Sequence, residues 1–301
     1  MGNPRWACLI LGWIAALPCP AAPGPTTEQV LAASTADEWV EIPPEHLLLV
    51  ELASGRALVE LAPQFAPEHV ANLRRLARQH YFDGLAVVRV QDNYVVQWGD
   101  PDAADPARRR SLGKARERLP AEFDRAVDGL PFEALLDPDP YAAQTGFTLG
   151  FPVGRDAEHT RTWLLHCYGA LGAGRDAPAD SSNAAELYVV IGHAPRHLDR
   201  NVTLLGRVIE GMEHLATLPR GEGPMGFYRE RSRQVPVLRV RIAADLPEAE
   251  RPRRARLDTH SRSFRLLIEA RRHRREPWFA HPVGHVEACN VPIPVRALDT
   301  R

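Results

Sequence analysis

Apolar side chains come in short runs along most of this chain, and the runs are the length of strands. Leu47 to Leu52 and Ala57 to Leu61 are separated by Ala53, Ser54 and Gly55. Glycine takes a turn conformation with little penalty, so this spacing predicts a hairpin. After Pro67 the period changes. Val70, Leu73, Leu76 and Ala77 share one helical face while Arg74, Arg75 and Arg78 fall elsewhere, and proline suits the first helical position. Further strands are predicted at Ala86 to Val90, Tyr94 to Trp98, Thr162 to Tyr168, Leu187 to Ile191, Val202 to Val208 and Val235 to Ile242. A short helix is expected near Glu210 to Leu218. Phe264, Leu267 and Ile268 give a helical apolar edge to a late arginine-rich stretch, and Val291 to Val295 closes the pattern.

Two segments lack such order. Residues 22–44 are rich in Ala, Pro, Thr and acidic side chains and read as a linker or a loosely packed arm. From about 101 to 161 the chain is rich in Pro, Asp, Ala and Arg, too long for an ordinary loop, and reads as an insertion. The organisation expected is therefore 1–21 leader, 22–44 linker, 45–245 main domain with that insertion, and 246–301 extension.

Composition narrows the classes. With 45% hydrophobic and 25% charged residues the chain is an ordinary globular protein, which excludes wholesale disorder and a disulfide-dense miniprotein. The formal charge is −1, so no global field selects nucleic acid as a partner. That balance conceals a split: residues 251–275 carry ten arginines against Asp258 and Glu269, a net of +8, and the remainder is −9. Such a tail reads first as a solvated helix face, with weak contact to an anionic surface as the sharper expectation.

The N-terminus has the zones of a secretory signal. Arg5 precedes the apolar run Trp6 to Leu17, and Pro18, Cys19, Pro20, Ala21 and Ala22 follow, with cleavage expected after Ala21. A periplasmic or secreted location follows from that reading. A lipid-modified Cys19 is the lesser alternative, because Pro18 fits such a site poorly. Removing the leader leaves Cys167 and Cys289, in a compartment where a disulfide persists; a bridge and two separate buried thiols are both compatible with the sequence.

Conventional catalytic signatures are missing. There is no Gly-x-Ser-x-Gly, Walker loop, His-Glu-x-x-His or Cys-x-x-Cys. His281, His285 and Cys289 recur every four residues, but Pro282 and Gly284 oppose the helix that would align them on a metal. His166 has no orienting group in view and reads as part of a strand.

The informative block runs from Gly55 to Asp100. A hairpin, a helix opening Ala-Pro-Glu, the turn Tyr81-Phe82-Asp83-Gly84, the strand Val88-Arg89-Val90 and the strand Tyr94-Val95-Val96-Gln97-Trp98-Gly99-Asp100-Pro101 resemble the cyclophilin family of peptidyl-prolyl isomerases. A second block agrees in order: Ala185-Glu186-Leu187-Tyr188-Val189, then Leu198-Asp199, Leu205-Gly206-Arg207-Val208 and Glu210-Gly211-Met212. The resemblance covers about residues 45–243. It implies a mainly β fold, a closed antiparallel barrel of about eight strands capped by two helices, with a long insertion and a C-terminal extension. It also implies prolyl cis/trans isomerisation of proline-containing polypeptides by a monomer, with neither metal nor organic cofactor, assisting the folding of exported proteins.

Carried over residue by residue, the resemblance puts Arg89 at the catalytic arginine and Gln97 at the glutamine that holds it. Alternation sets Arg89 on the opposite face from Val88 and Val90. Tyr94, Val95, Tyr188 and Leu198 would form the apolar cup for the proline ring, and Ala173, Gly174 and Glu186 the neighbouring groove. Two positions depart from the family: Val202 stands where a histidine is common and His197 where an aromatic ring is common. The hydroxyls of Tyr94 and Tyr188 need partners or solvent. These departures leave open a second reading, a proline-binding chaperone module with weak or no isomerase activity.

Overall fold

The computed structural model describes residues 24–299, so the expected leader and its cleavage point lie outside the described residues. In chain order the elements are α1 (Thr27–Ala33), β1 (Trp39–Glu41), β2 (Leu47–Leu52), β3 (Gly55–Leu61), α2 (Pro67–Arg78), β4 (Ala86–Val90) and β5 (Val95–Gly99). Then come β6 (Arg125–Ala126), β7 (Glu133–Leu135), β8 (Gln144–Thr148), β9 (Phe151–Arg155), β10 (Arg161–Leu164), β11 (Ala170–Ala173) and β12 (Leu187–Val190). The chain ends with β13 (Leu204–Glu210), α3 (Met212–Ala216), β14 (Val235–Ile242), β15 (Arg254–Leu257), α4 (Arg262–His273) and β16 (Val295–Ala297).

Eight strands close into an antiparallel barrel in the order β11-β12-β5-β4-β14-β2-β3-β13. The hairpin expected around Gly55 is β2–β3, in register from Leu47↔Glu60 to Leu52↔Gly55. Its continuous apolar runs reflect burial on both faces: Leu48, Val50 and Leu52 fill the barrel, while Leu47 and Leu49 pack outside it with Ile42 and Ala243. α2 sends Leu73, Leu76 and Ala77 into the barrel core, and α3 sends Leu215, so two helices cap the barrel as expected. The residues before β6 are fixed through Glu122, which accepts the backbone N–H groups of Glu68 and His69, each at 2.9 Å, at the exposed start of α2.

Outside the barrel, three segments that the sequence separates form one further layer. The insertion folds into a five-stranded sheet, β6-β10-β9-β8-β7, and β1, β15 and β16 form a three-stranded sheet. Val30 of α1, Leu135, Phe147 and Trp163 of the inserted sheet, and Leu257, Phe264, Leu267 and Ile268 of the extension share a second hydrophobic core. The linker expectation for 22–44 is thus corrected: Thr26 caps α1 in a reciprocal box with Gln29, and Trp39 pairs with Leu257. The pattern missed this because a seven-residue helix with one buried side chain, Val30, shows no period. Cys167 and Cys289 are joined in a disulfide between the connector before β11 and the C-terminal segment.

Part of the basic tail is neutralised within the fold. Arg253, Arg254, Arg256, Arg265 and Arg272 each meet a carboxylate, respectively Glu41, Glu210, Glu60, Glu133 and Asp137. Glu60 is buried between Arg256 and Arg207, at 2.9 and 3.1 Å. Five of the ten arginines of the basic stretch are therefore paired within the fold, two with barrel carboxylates, Glu60 and Glu210, and three with Glu41 of β1, Glu133 of β7 and Asp137 of the insertion.

Candidate active site

Three adjacent barrel strands carry the site. β4 pairs with β5 through Val87↔Trp98 and then Arg89↔Gln97, so Val88 is an extra residue, a β-bulge. The bulge changes which residues face the core: Val87 and Val90 point into the barrel with Val96 and Trp98, and Arg89 emerges outside opposite Gln97. Simple alternation had grouped Val88 with Val90; one inserted residue breaks that grouping. Next along, Gln97 pairs with Tyr188 of β12, and Tyr188 with Gly172 of β11. A Cβ on Gly172 would come within 2.2 Å of the Tyr188 ring, so only glycine lets that ring lie across β11.

The Arg89 guanidinium is held from three directions. Nε donates to the Met225 carbonyl at 2.7 Å, one terminal nitrogen donates to Gln97 Oε1 at 3.0 Å, and the other donates to Gln91 Oε1. The Tyr94 and Phe227 rings lie 5.5 and 5.4 Å from it. Gln97 in turn donates through Nε2 to Glu186 Oε1. Burial pushes the Glu186 carboxyl above the usual carboxylate range, opposed by the hydrogen bond from Gln97 and by Arg89. Half-burial lowers the Arg89 value, yet a guanidinium remains charged throughout.

Beside this cluster, Val95, Tyr188 and Leu204 form an apolar group with Phe65 of the barrel and Phe151, Val153 and Leu164 of the inserted sheet, with Tyr94 and Val202 packed at its edge. A cavity of about 550 Å³ adjoins Glu186 and Gly174, and Asp100, Arg109, Arg110 and Arg175 line it with charge of both signs. Of the residues expected from sequence, Arg89, Tyr94, Val95, Gln97, Glu186, Tyr188 and Val202 are brought together. Ala173 is not: its side chain lies in the barrel core, because on β11 the outward positions are Ala170 and Gly172. His197 is exposed on the 3₁₀ turn Arg196–Leu198, and Leu198 is half-buried beside it.

Three residues of the cluster were missed. Gln91, Met225 and Phe227 brace Arg89, the last two from a loop whose Phe227 bridges to Arg89 in the strand manner. The signal was present in Gly221, Gly223 and Gly226 before β14. Gly226, at φ 78°, lets the loop approach Gln91, where a Cβ would come within 2.5 Å of the Gln91 Cα.

His166 is corrected too. It lies beyond β10 in a connector, and Asp199 is its orienting group: Nδ1 and the backbone N–H both meet Asp199 Oδ1, at 2.9 and 3.0 Å. Its Nε2 is 2.9 Å from the Tyr188 hydroxyl, which supplies the partner that this buried hydroxyl requires. Burial lowers the His166 value, with Asp199 acting the other way. Since the folded value lies below the unfolded one, the unfolded chain binds the extra proton first, and this group destabilises the fold as pH falls below about 6.5. An NMR titration of the imidazole is expected to place the His166 midpoint below that of a free histidine side chain; a midpoint at or above the free value would contradict the burial.

The cyclophilin type peptidyl-prolyl cis-trans isomerase/CLD family model matches residues 47–243. A probable peptidyl-prolyl cis-trans isomerase of Brucella suis biovar 1 is 25% identical over 198 residues, covering 64% of this chain and 78% of that protein. Peptidyl-prolyl cis-trans isomerase-like 1 of Bos taurus is 29% identical over 131 residues, 43% of this chain and 76% of its own length. Among solved structures, cyclophilin AquaCyp293 from Hirschia baltica superposes with a TM-score of 0.71 at 24% identity, over 93% of this chain and 100% of that one. That likeness is one of fold, and it extends past the barrel into the outer layer. Because the family match takes in every strand of the closed barrel, from β2 to β14, this chain belongs to the cyclophilin-type peptidyl-prolyl cis-trans isomerases.

Proposed function

We propose that the protein isomerises Xaa–Pro bonds in exported polypeptides, with Arg89 as the hydrogen-bond donor to the twisted amide. The observation that carries this is the guanidinium fixed by Met225, Gln91 and Gln97 on the barrel's outer face, beside the Tyr94 ring. Rotation about the amide meets a barrier of roughly 18–20 kcal/mol from lost C–N double-bond character. In the twisted state the prolyl nitrogen becomes pyramidal and gains a lone pair. A donor already oriented toward that position stabilises the twisted state more than the planar one, which is the condition for catalysis. No covalent nucleophile is required. The rings and aliphatic groups around Val95 and Val202 would exclude water from the proline ring, and the cavity beside Glu186 would take the adjoining chain.

Export is supported by the leader-like N-terminus and by the Cys167–Cys289 bridge, since disulfides persist in oxidising compartments. Val202 in place of a histidine favours the second reading, a module that grips proline segments and turns them over slowly. An NMR exchange assay on a short Ala-Pro peptide separates the two: line broadening at substoichiometric protein supports catalysis, whereas binding without accelerated exchange supports the module.

Glu186 offers a separate check. Its folded value is raised, so the carboxyl takes up a proton at a pH above the ordinary value, and the acid limb of kcat/KM is expected to begin there. Glutamine is neutral like the protonated carboxyl, so in Glu186→Gln that limb should flatten, with kcat/KM at neutrality reduced toward the value the wild type reaches in acid. An unchanged acid limb in the variant would remove Glu186 from the site.

A further inference from the structure

We propose that the inserted loop carrying Asp139 is a positioning element for the proline cup, acting through Arg196 and Asp199 on the His166–Tyr188 pair. The inference rests on the isomerase reading and assigns a role to the insertion within it. Tyr188, in the apolar group beside Arg89, meets His166 Nε2 through its hydroxyl, and His166 meets Asp199 Oδ1. The other oxygen of Asp199 accepts from Arg196 Nε at 2.5 Å. The two terminal nitrogens of Arg196 donate to the two oxygens of Asp139, at 2.8 and 3.1 Å. Asp139 lies between β7 and β8 and is itself fixed by the backbone N–H groups of Tyr141 and Ala142, at 2.8 and 3.0 Å. The Tyr141 ring covers the Arg196 guanidinium at 5.3 Å.

The chain of contacts is dry. The His166 side chain is fully buried, and those of Asp139, Asp199 and Arg196 are only 5–8% exposed. Loss of one member leaves the next buried and unpaired, with little water to replace it, so the disturbance passes along the chain. Leu198, the expected rim of the cup, sits between Arg196 and Asp199, and the same contacts hold it. With Nδ1–H directed at Asp199, Nε2 is left to accept the Tyr188 O–H, which fixes the ring over Gly172.

The test compares Asp139→Asn with Asp137→Asn. Asp137 lies on the same loop but binds Arg272, His285 and the Val286 N–H, away from the cup. Two readouts are taken where circular dichroism shows each protein folded: kcat/KM on a short Ala-Pro peptide, and the ¹⁵N imidazole signals of His166. Asp139→Asn is expected to lower kcat/KM about tenfold and to move the His166 signals. Asp137→Asn is expected to lower Tm and leave both readouts at wild-type values. An unchanged kcat/KM in Asp139→Asn overturns the proposal, whether or not the ring signals move, and so do equal losses in the two variants. If Asp139→Asn does not fold, Arg196→Lys, which keeps the charge and loses the fork, carries the same expectations. If the wild type itself does not isomerise the peptide, the isomerase reading fails. Peptide affinity then replaces kcat/KM: a loss in Asp139→Asn together with moved His166 signals supports the positioning role, and unchanged affinity overturns it.

Discussion

Arg89→Ala is expected to lower kcat/KM on an Xaa–Pro peptide by about a hundred- to a thousandfold, the usual loss on removing one preorganised donor from a developing lone pair or charge. The size follows from how the guanidinium is held. Three of its N–H groups are engaged by Met225, Gln97 and Gln91, so its position is set before substrate arrives and little reorganisation accompanies the reaction. Arg89 is only half-buried on the outer face, and the barrel core does not include it. Its removal should therefore leave the far-ultraviolet circular dichroism and Tm close to wild type. Arg89→Lys is expected to recover only a small part of the activity, because an ammonium cannot meet the three acceptors in one plane. The measurement is an isomerisation assay on all three proteins at equal concentration. Wild-type rates in Arg89→Ala would exclude Arg89 as the donor and leave the family's reaction without its expected residue here.

Loss of the disulfide should be the largest effect on stability. Cys167 and Cys289 are 122 residues apart in sequence, and the loop they close holds β11 to β15, α3 and α4. Closing a loop of that order removes about 4–5 kcal/mol of unfolded-state freedom in the chain-entropy view, and measured losses for native bridges run about 2–5 kcal/mol. Cys167→Ala/Cys289→Ala is thus expected to melt roughly 5–15 °C below wild type. Reductant should bring the wild type to the same temperature and leave the variant unmoved. Cys167 belongs to the outer core with Phe147, Trp163 and Phe264, whereas the barrel has a core of its own. The outer layer should accordingly loosen first, visible as early hydrogen exchange in α4 while β2 and β3 stay protected. Equal melting temperatures for wild type and variant would mean that the bridge constrains nothing the fold does not already hold.

The barrel was legible in sequence because its strands are long, doubly buried and separated by clear turns, as in β2 and β3. Arg89, Gln97, Glu186, Tyr94 and Tyr188 were legible because family resemblance fixes them relative to those strands. What escaped detection depended on contacts distant in sequence or on local departures from a period. The bulge at Val88 cannot be told from a regular strand by counting apolar residues. Ala173 reads as a groove residue in sequence because β11 is only four residues long and one of its two outward positions, Gly172, carries no side chain to mark the face. His166 gave no sign of Asp199, which lies 33 residues on. The outer layer reads in sequence as linker, insertion and tail, since α1 and β1 bury too little to show a pattern and the periodicity of α4 does not say what it packs against; only β1 beside β15 and Phe147 beside Phe264 make them one body.

That body also sets the order in which the chain can be completed. β1 is among the first elements to emerge, yet its hydrogen-bonding partners are Ala255, Arg256 and Leu257, which arrive after the whole barrel has been made. Closing this pairing is a step of very high contact order, and such steps come late. The barrel strands and α2 are therefore expected to collect first, before α1 and β1 find their partners. The pairing of β1 with β15 is then expected to close last, and a chain interrupted before β15 is expected to leave β1 without a partner strand.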